Sequence, residues 1–282
     1  MEKRPKKPSR VGADAASLRL AGRNLFTWTE YSGLDPEVNL FSAQTVARGV
    51  DFATISQWLG HASLEVTLAN GVVILIDPWF DGNPSYPKEH AIERADLVLI
   101  THGHGDHFGN VLPLARRFQP TIVATHEICE WLGSKRIGNL APMNKGGSQQ
   151  IAGLRITMTD ARHSSGYVDN GQMIYMGEPA GYVVRLEDGM TVYFAGDTSL
   201  FGDMRLIGEM YKPEIAFLPI GDRFTMGPDT AATAAKWLGV KQVVPMHWGT
   251  FPLLTGTPAQ LKEHLGGTEI QVLELKPGET AE

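Results

Sequence analysis

The chain has 282 residues, 43% of them hydrophobic and 20% charged, which excludes a low-hydropathy disordered protein or a fibrous repeat and leaves room for a large buried core. A formal net charge of −6 excludes a nucleic-acid surface spread over the protein, because phosphate recognition needs clustered positive charge. The single cysteine, Cys129, excludes an intrachain disulfide, no apolar signal segment follows the basic run 3–10, and the run 72–76 is far too short to cross a bilayer, so a cytoplasmic protein without a membrane partner is expected.

Residues 1–50 hold scattered polar residues with Pro5, Pro8 and Pro36 and lack the rhythm of strand and turn found later. They are expected to form an N-terminal extension ahead of one domain over 51–282. From there on, short apolar runs each end in turn chemistry: 64–68, 72–76, 97–100, 121–124, 154–158, 182–186, 191–194, 215–218 and 243–245. Helical spacing is clearest over 229–238, where Ala231, Ala234, Ala235 and Leu238 share a face. The sequence Leu186-Glu187-Asp188-Gly189-Met190 reads as a turn between antiparallel strands. Strands interleaved with helices predict an α/β class with sheets sandwiched by helices.

The chemistry starts at the end of the run 97–100. There Thr101-His102-Gly103-His104-Gly105-Asp106-His107 brings four candidate ligands out of one strand into one loop. Neutral imidazoles and carboxylates suit zinc, with manganese or iron as alternatives, and five or six such ligands can hold two ions in a hydrolytic centre. One loop cannot close such a centre, so further ligands are expected at later strand ends. His163, Asp197 and His247 each lie just beyond an apolar run, as site residues on a rigid scaffold do. Asp77, after the run 72–76, is placed to accept the second N–H of a ligating histidine and fix its tautomer. His61, in a Gly-His-Ala turn, is a candidate catalytic or substrate-contacting residue. Arg223 and Thr225, beyond the run 215–218, are candidates for an anionic group of the substrate. His90, His126 and His264 read as surface residues.

These motifs resemble the metallo-β-lactamase-fold superfamily. The likeness is closest to small bacterial metal-dependent hydrolases related to ascorbate-6-phosphate lactonases, over about residues 53–275. It rests on the histidine loop, Trp58-Leu59-Gly60-His61-Ala62-Ser63, Ile76-Asp77-Pro78, Ala195-Gly196-Asp197-Thr198, the stretch from Gly221 to Pro228 and His247-Trp248-Gly249-Thr250-Phe251. The resemblance implies an αββα sandwich, two mixed β-sheets flanked by helices. It gives His102, His104 and His163 to one divalent ion, Asp106, His107 and His247 to the other, and Asp197 to both. The implied activity is hydrolysis of an ester, lactone or phosphodiester bond in a small-molecule substrate by a metal-bridging hydroxide, with Asp106 orienting the water or taking its proton. A homo-oligomer is left open. Two rivals remain. An iron-dependent redox enzyme on the same fold is disfavoured because position 104 is histidine rather than a carboxylate. A recombinase remnant is suggested by the segment 47–65, but the acidic balance argues against DNA binding.

Overall fold

Burial on both faces of the central strands decides the architecture. The computed structural model describes residues 56–280. The first sheet contains β1 (Ser56–Trp58), β2 (Leu64–Thr67), β3 (Val73–Ile76), β4 (Leu97–Leu99), β5 (Thr121–Thr125) and β6 (Leu140–Met143), in that spatial order. After it come β7 (Ser148–Ile151), β8 (Leu154–Asp160), β9 (Gly166–Asp169), β10 (Gln172–Tyr175), β11 (Ala180–Arg185), β12 (Thr191–Phe194), β13 (Ile215–Pro219), β14 (Gln242–Met246) and β15 (Gln271–Val272). The second sheet runs β15-β14-β13-β12-β11-β8-β7, while β9 and β10 form a separate hairpin. The helices are α1 (Gly105–Phe108), α2 (Val111–Phe118), α3 (His126–Ser134), α4 (Met204–Tyr211), α5 (Pro228–Leu238) and α6 (Pro258–His264).

Successive side chains of a strand point to opposite faces. Ile74, Ile76, Leu97, Leu99 and Val123 of the first sheet therefore join Met158, Tyr182, Val184, Phe194 and Phe217 of the second in the central core. The intervening Leu75, Val98 and Ile122 pack with Val111, Leu114, Ile128 and Leu132 of α2 and α3. On the opposite outer face, Val183, Tyr193 and Ala216 pack with Ile207, Ala231, Ala235, Leu238 and Leu261 of α4, α5 and α6. The result is the expected αββα sandwich. Strands covered on both faces read as unbroken apolar runs, and β3, β12 and β13 are buried throughout.

Strand direction places the loops. β1 and β3 both run antiparallel to β2, and β3 to β6 are parallel. β8 and β12 both run antiparallel to β11, and β12 to β15 are parallel. Within each sheet, the loops that follow β1, β3 and β4, or β8, β12, β13 and β14, thus leave from one edge. The two edges are joined where Ala180 N–H donates to Thr101 O at 2.9 Å and the Tyr182 hydroxyl donates to Ile100 O at 2.7 Å.

Each apolar run read from the sequence lies on an observed strand, with ends shifted by a residue or two, and the helix at 229–238 opens one residue earlier on Pro228, a residue suited to the first helical position. The turn at 186–190 is closed by Leu186 N–H donating to Met190 O at 2.8 Å. Several strands carried no such signal. β7 is Ser-Gln-Gln-Ile at a sheet edge, and β6 contains Pro142 and lies at the edge of its sheet. The expected extension, 1–50, lies outside the described residues. Of the recombinase-like segment, residues 56–65 form β1, a tight turn and the start of β2, so they are part of this sandwich. His126 and His264 are exposed, but His90 is a correction. It is half-buried, with Nε2 3.0 Å from a Glu65 carboxylate oxygen, because β2 presents Glu65 towards the loop that carries it.

Candidate metal centre

Asp77 ends β3 in a left-handed conformation, φ 45°, which aspartate tolerates better than most residues. It is buried, and its two oxygens are fully used. Oδ1 accepts from Thr101 N–H at 2.8 Å, and Oδ2 accepts from the Thr101 hydroxyl at 2.6 Å and from His107 Nδ1 at 2.9 Å. The hydroxyl has one proton, already given to Asp77, so at His102 Nδ1, 2.9 Å away, it acts as acceptor. Neutral His102 therefore carries its proton on Nδ1 and turns an Nε2 lone pair inward, while His107 donates from Nδ1 to Asp77 and, against the burial that would lower it, is held well above its usual pKa by Asp197 and Asp77, a positive charge that a bound cation would replace.

The loop 101–107, His163 after β8, Asp197 after β12 and His247 after β14 converge. Asp197 Oδ2 lies 3.0 Å from His247 Nε2, 3.3 Å from His107 Nε2, 3.6 Å from His163 Nε2 and 4.0 Å from His102 Nε2. His104 Nδ1 lies 3.0 Å from His102 Nε2 and 3.3 Å from His163 Nε2. Tetrahedral ligands held about 2.0–2.1 Å from zinc stand about 3.3 Å apart, so these spacings suit a shared ion. Three overlapping groups of candidate ligand atoms result: His102, His104 and His163; His61, Asp106, His107 and His247; and Asp77, His102 and His107, in which Asp77 is already engaged by Thr101 and His107. His107 Nε2, His247 Nδ1 and Asp197 Oδ1 are buried without a hydrogen-bond partner. Orphaned buried polar atoms are costly, and a cation beside His107 Nε2 and Asp197 Oδ1 would remove that cost for those two, while His247 faces Asp197 through Nε2.

The electrostatics follow from the crowding. Burial pushes the His102 imidazolium well below its usual pKa. Burial would also raise the Asp197 carboxyl, but His107 and His247 beside it hold it well below the carboxylate range. For Asp106 burial likewise opposes ionisation, and the His61 hydrogen bond together with His107 overcomes it, so the group is held low. Asp106 is thus a firmly ionised acceptor and a poor place to store a proton, which favours the orienting role expected for it.

His61 sits on a left-handed turn, φ 58°, fully buried. Its Nε2 is 3.2 Å from Asp106 Oδ2 and its Nδ1 is 3.0 Å from the Thr250 hydroxyl. Ionised Asp106 only accepts, so Nε2–H donates and Nδ1 faces the hydroxyl. Burial lowers the His61 pKa to about 4 despite Asp106. With no exposed surface, His61 holds Asp106 in place rather than reaching outward. The backbone supports the site at two close approaches. Gly196 has φ 60° and a Cβ there would lie 2.8 Å from Thr101 Cβ, while a Cβ on Gly221 would lie 2.2 Å from His247 O.

Arg223 and Thr225 lie on the loop 221–227, tied to the Asp197 loop by Met226 N–H donating to Thr198 O at 3.0 Å. Among the described residues neither makes a hydrogen bond or ion pair with the cluster. Thr225 turns its hydroxyl to Met226 O, and Arg223 is exposed, with its guanidinium 5.5 Å from the Phe224 ring. Sequence reasoning missed Thr101 and Thr250 as orienting groups, Ser165, whose hydroxyl accepts from Gly103 N–H at 3.1 Å, and Trp79 and Phe251. Thr101 and Thr250 flank ligand motifs in the chain. Only the fold shows what their hydroxyls meet.

A sandwich of two mixed sheets between helices, with histidines and carboxylates gathered at one edge, defines the metallo-β-lactamase class of metal-dependent hydrolases. The family model for the beta-lactamase superfamily domain matches residues 73–248. A UPF0173 metal-dependent hydrolase from Solibacter usitatus is 51% identical over 221 residues, covering 78% of this chain and 96% of the relative. Another from Rubrobacter xylanophilus is 49% identical, over 79% of this chain and 93% of its own length. A solved metallo hydrolase from Ignicoccus hospitalis superposes with a TM-score of 0.71 at 36% identity, over 80% of this chain and 96% of that one. The chain belongs to the UPF0173 metal-dependent hydrolase family. Among the described residues no helix is long and apolar enough to cross a membrane.

Proposed function

We propose that the protein is a dinuclear hydrolase of a small-molecule ester, lactone or phosphodiester. His102, His104 and His163 would hold one divalent ion, Asp106, His107 and His247 the other, with Asp197 shared. The observation that carries this reading is the convergence of His102, His107, His163 and His247 Nε2 within 4.0 Å of Asp197 Oδ2, with His107 Nε2 and Asp197 Oδ1 buried there without a hydrogen-bond partner. When bound, the ions supply Lewis-acid activation of water and of the scissile oxygen. Zinc is the favoured ion, since a first site of three neutral imidazoles suits a redox-inert Lewis acid; manganese and iron are the alternatives.

The chain's own groups do the rest. Asp77, directly and through Thr101, keeps His107 and His102 in the tautomer that offers Nε2. His61 donates to Asp106 and fixes the direction of its carboxylate, which orients the attacking water. The buried side chains of His102, His107, His247 and Asp197 form a floor closed to solvent, while Asp106 and His163 keep 33% and 13% of their side-chain surface exposed. Substrate therefore approaches from the Asp106 and His163 side. Arg223, exposed on the loop tied to the Asp197 loop, is a candidate partner for a negative group of the substrate.

The test is turnover of ester, lactone and phosphodiester substrates under argon, with zinc or manganese as the only metal added to stripped protein. Hydrolysis without oxygen is expected. Strict dependence on iron and oxygen would overturn the reading in favour of redox chemistry.

A further inference from the structure

The apolar surface around the centre points to the kind of substrate. Single exposed apolar residues are ordinary, so their distribution decides. Among the described residues the exposed large hydrophobics are Val168, Met173, Tyr175, Leu206, Met210, Phe224, Phe251 and Leu253. Val168, Met173 and Tyr175 lie on the β9–β10 hairpin that follows His163, and Phe224, Phe251 and Leu253 lie on the loops after β13 and β14. Only Leu206 and Met210, on α4, lie elsewhere. The loops after β13 and β14 adjoin each other, with Gly256 N–H donating to Gly221 O at 3.4 Å.

Among these residues Phe251 makes a ring contact with a histidine of the site. Its ring meets the His61 ring edge-on at 5.7 Å and the Trp79 ring at 6.0 Å, and Trp79 meets His61 edge-on at 5.2 Å. The two aromatics thus wall the side of His61, whose Nε2 holds Asp106, the partly open carboxylate of the rim. Phe251 remains 37% exposed and Leu253, two residues on, 49%. Folding leaves this apolar surface uncovered, although the same loop is fixed through the Thr250 hydroxyl to His61.

We infer that the substrate carries an apolar group, aromatic or aliphatic, beside its scissile bond, and that this group lies against Phe251 and Leu253, with Trp79 buried behind Phe251. This rests on the hydrolase reading above. Covering such surface is worth roughly 25 cal/mol per Å², so a phenyl group in place of a methyl strengthens binding by about tenfold or more.

The test uses the full zinc-loaded chain and two metal-chelating probes, acetohydroxamate and benzohydroxamate, titrated by calorimetry. Acetohydroxamate is expected to bind the zinc-loaded protein and not the stripped one. Benzohydroxamate is expected to bind at least about tenfold tighter. Phe251→Ala and Leu253→Ala should each pull the ratio of the two affinities towards one, while Leu206→Ala on α4 leaves it unchanged. Leu253 is half exposed, so its truncation removes no core and keeps the test open if Phe251→Ala misfolds. Acetohydroxamate binding with no benzoyl gain, or a gain that survives both loop variants, would overturn the inference while leaving the hydrolase reading intact. No zinc-dependent acetohydroxamate binding would overturn the metal reading and this inference with it.

Discussion

Thr101→Val is the sharpest perturbation of the centre, because valine keeps the shape of the side chain and removes only the hydroxyl. That hydroxyl joins Asp77 at 2.6 Å to His102 Nδ1 at 2.9 Å, and all three groups are buried. The substitution leaves the His102 Nδ1–H without an acceptor and one lone pair of Asp77 without its donor. An unsatisfied buried group costs about 1–3 kcal/mol, and the free ring can escape part of this by moving its proton to Nε2, the atom meant for the ion. Losing an outer partner of a ligating histidine typically weakens a metal site about 10- to 100-fold, which is about 1.4–2.8 kcal/mol. Asp77 still receives His107 Nδ1 at 2.9 Å and Thr101 N–H at 2.8 Å, so the second site should be nearly untouched. Calorimetric zinc titration of the stripped protein should therefore show two events in the wild type and a selective loss of affinity in one of them in the variant. Nitrogen chemical shifts of the metal-free protein should show His102 moving away from the Nδ1–H form. Thr101→Ser, which restores the hydroxyl, should recover both signatures. Equal weakening of both sites, or wild-type affinity at both, would refute the relay.

Asp197→Ala removes the carboxylate nearest four histidines, and elemental analysis should find less than half the wild-type metal; full occupancy would remove Asp197 from its shared role. His61→Ala deprives Asp106 of its 3.2 Å donor, and should lower kcat by at least about tenfold with the first site still loaded, as read from metal content and kinetics on one sample. Tyr182→Phe deletes the 2.7 Å bond that ties β11 to the end of β4, and should lower unfolding free energy by about 1–2 kcal/mol in urea titrations; an unchanged midpoint would show the bond to be dispensable. Deleting residues 1–50 should leave the fold and metal content intact, since a relative matched over 221 residues is covered to 96% of its length; insoluble or metal-poor protein would show that the extension supports the domain.

The local code was legible because it depends on neighbours in the chain. Unbroken apolar runs at 72–76, 191–194 and 215–218 mark strands covered on both faces, and the spacing of His102, His104, Asp106 and His107 marks a candidate metal loop from the chain neighbours alone. The candidate ligands after β8, β12 and β14 were likewise readable, since each follows a strand end. Polar edge strands such as β7 were not, because their pairing is fixed by β8 rather than by their own composition. Nor could sequence show that Asp77 serves both ligand groups, that Thr101 relays it to His102, or that Thr250 and Asp106 hold His61 from opposite sides. Those facts depend on hydroxyls and carboxylates approaching within about 3 Å, the range of a hydrogen bond, across 24 residues for Asp77 and Thr101 and 189 for His61 and Thr250. Parallel pairing of β3 with β4 brings Asp77 to Thr101, and stacking of the two sheets with their loop-bearing edges together brings Thr250 to His61.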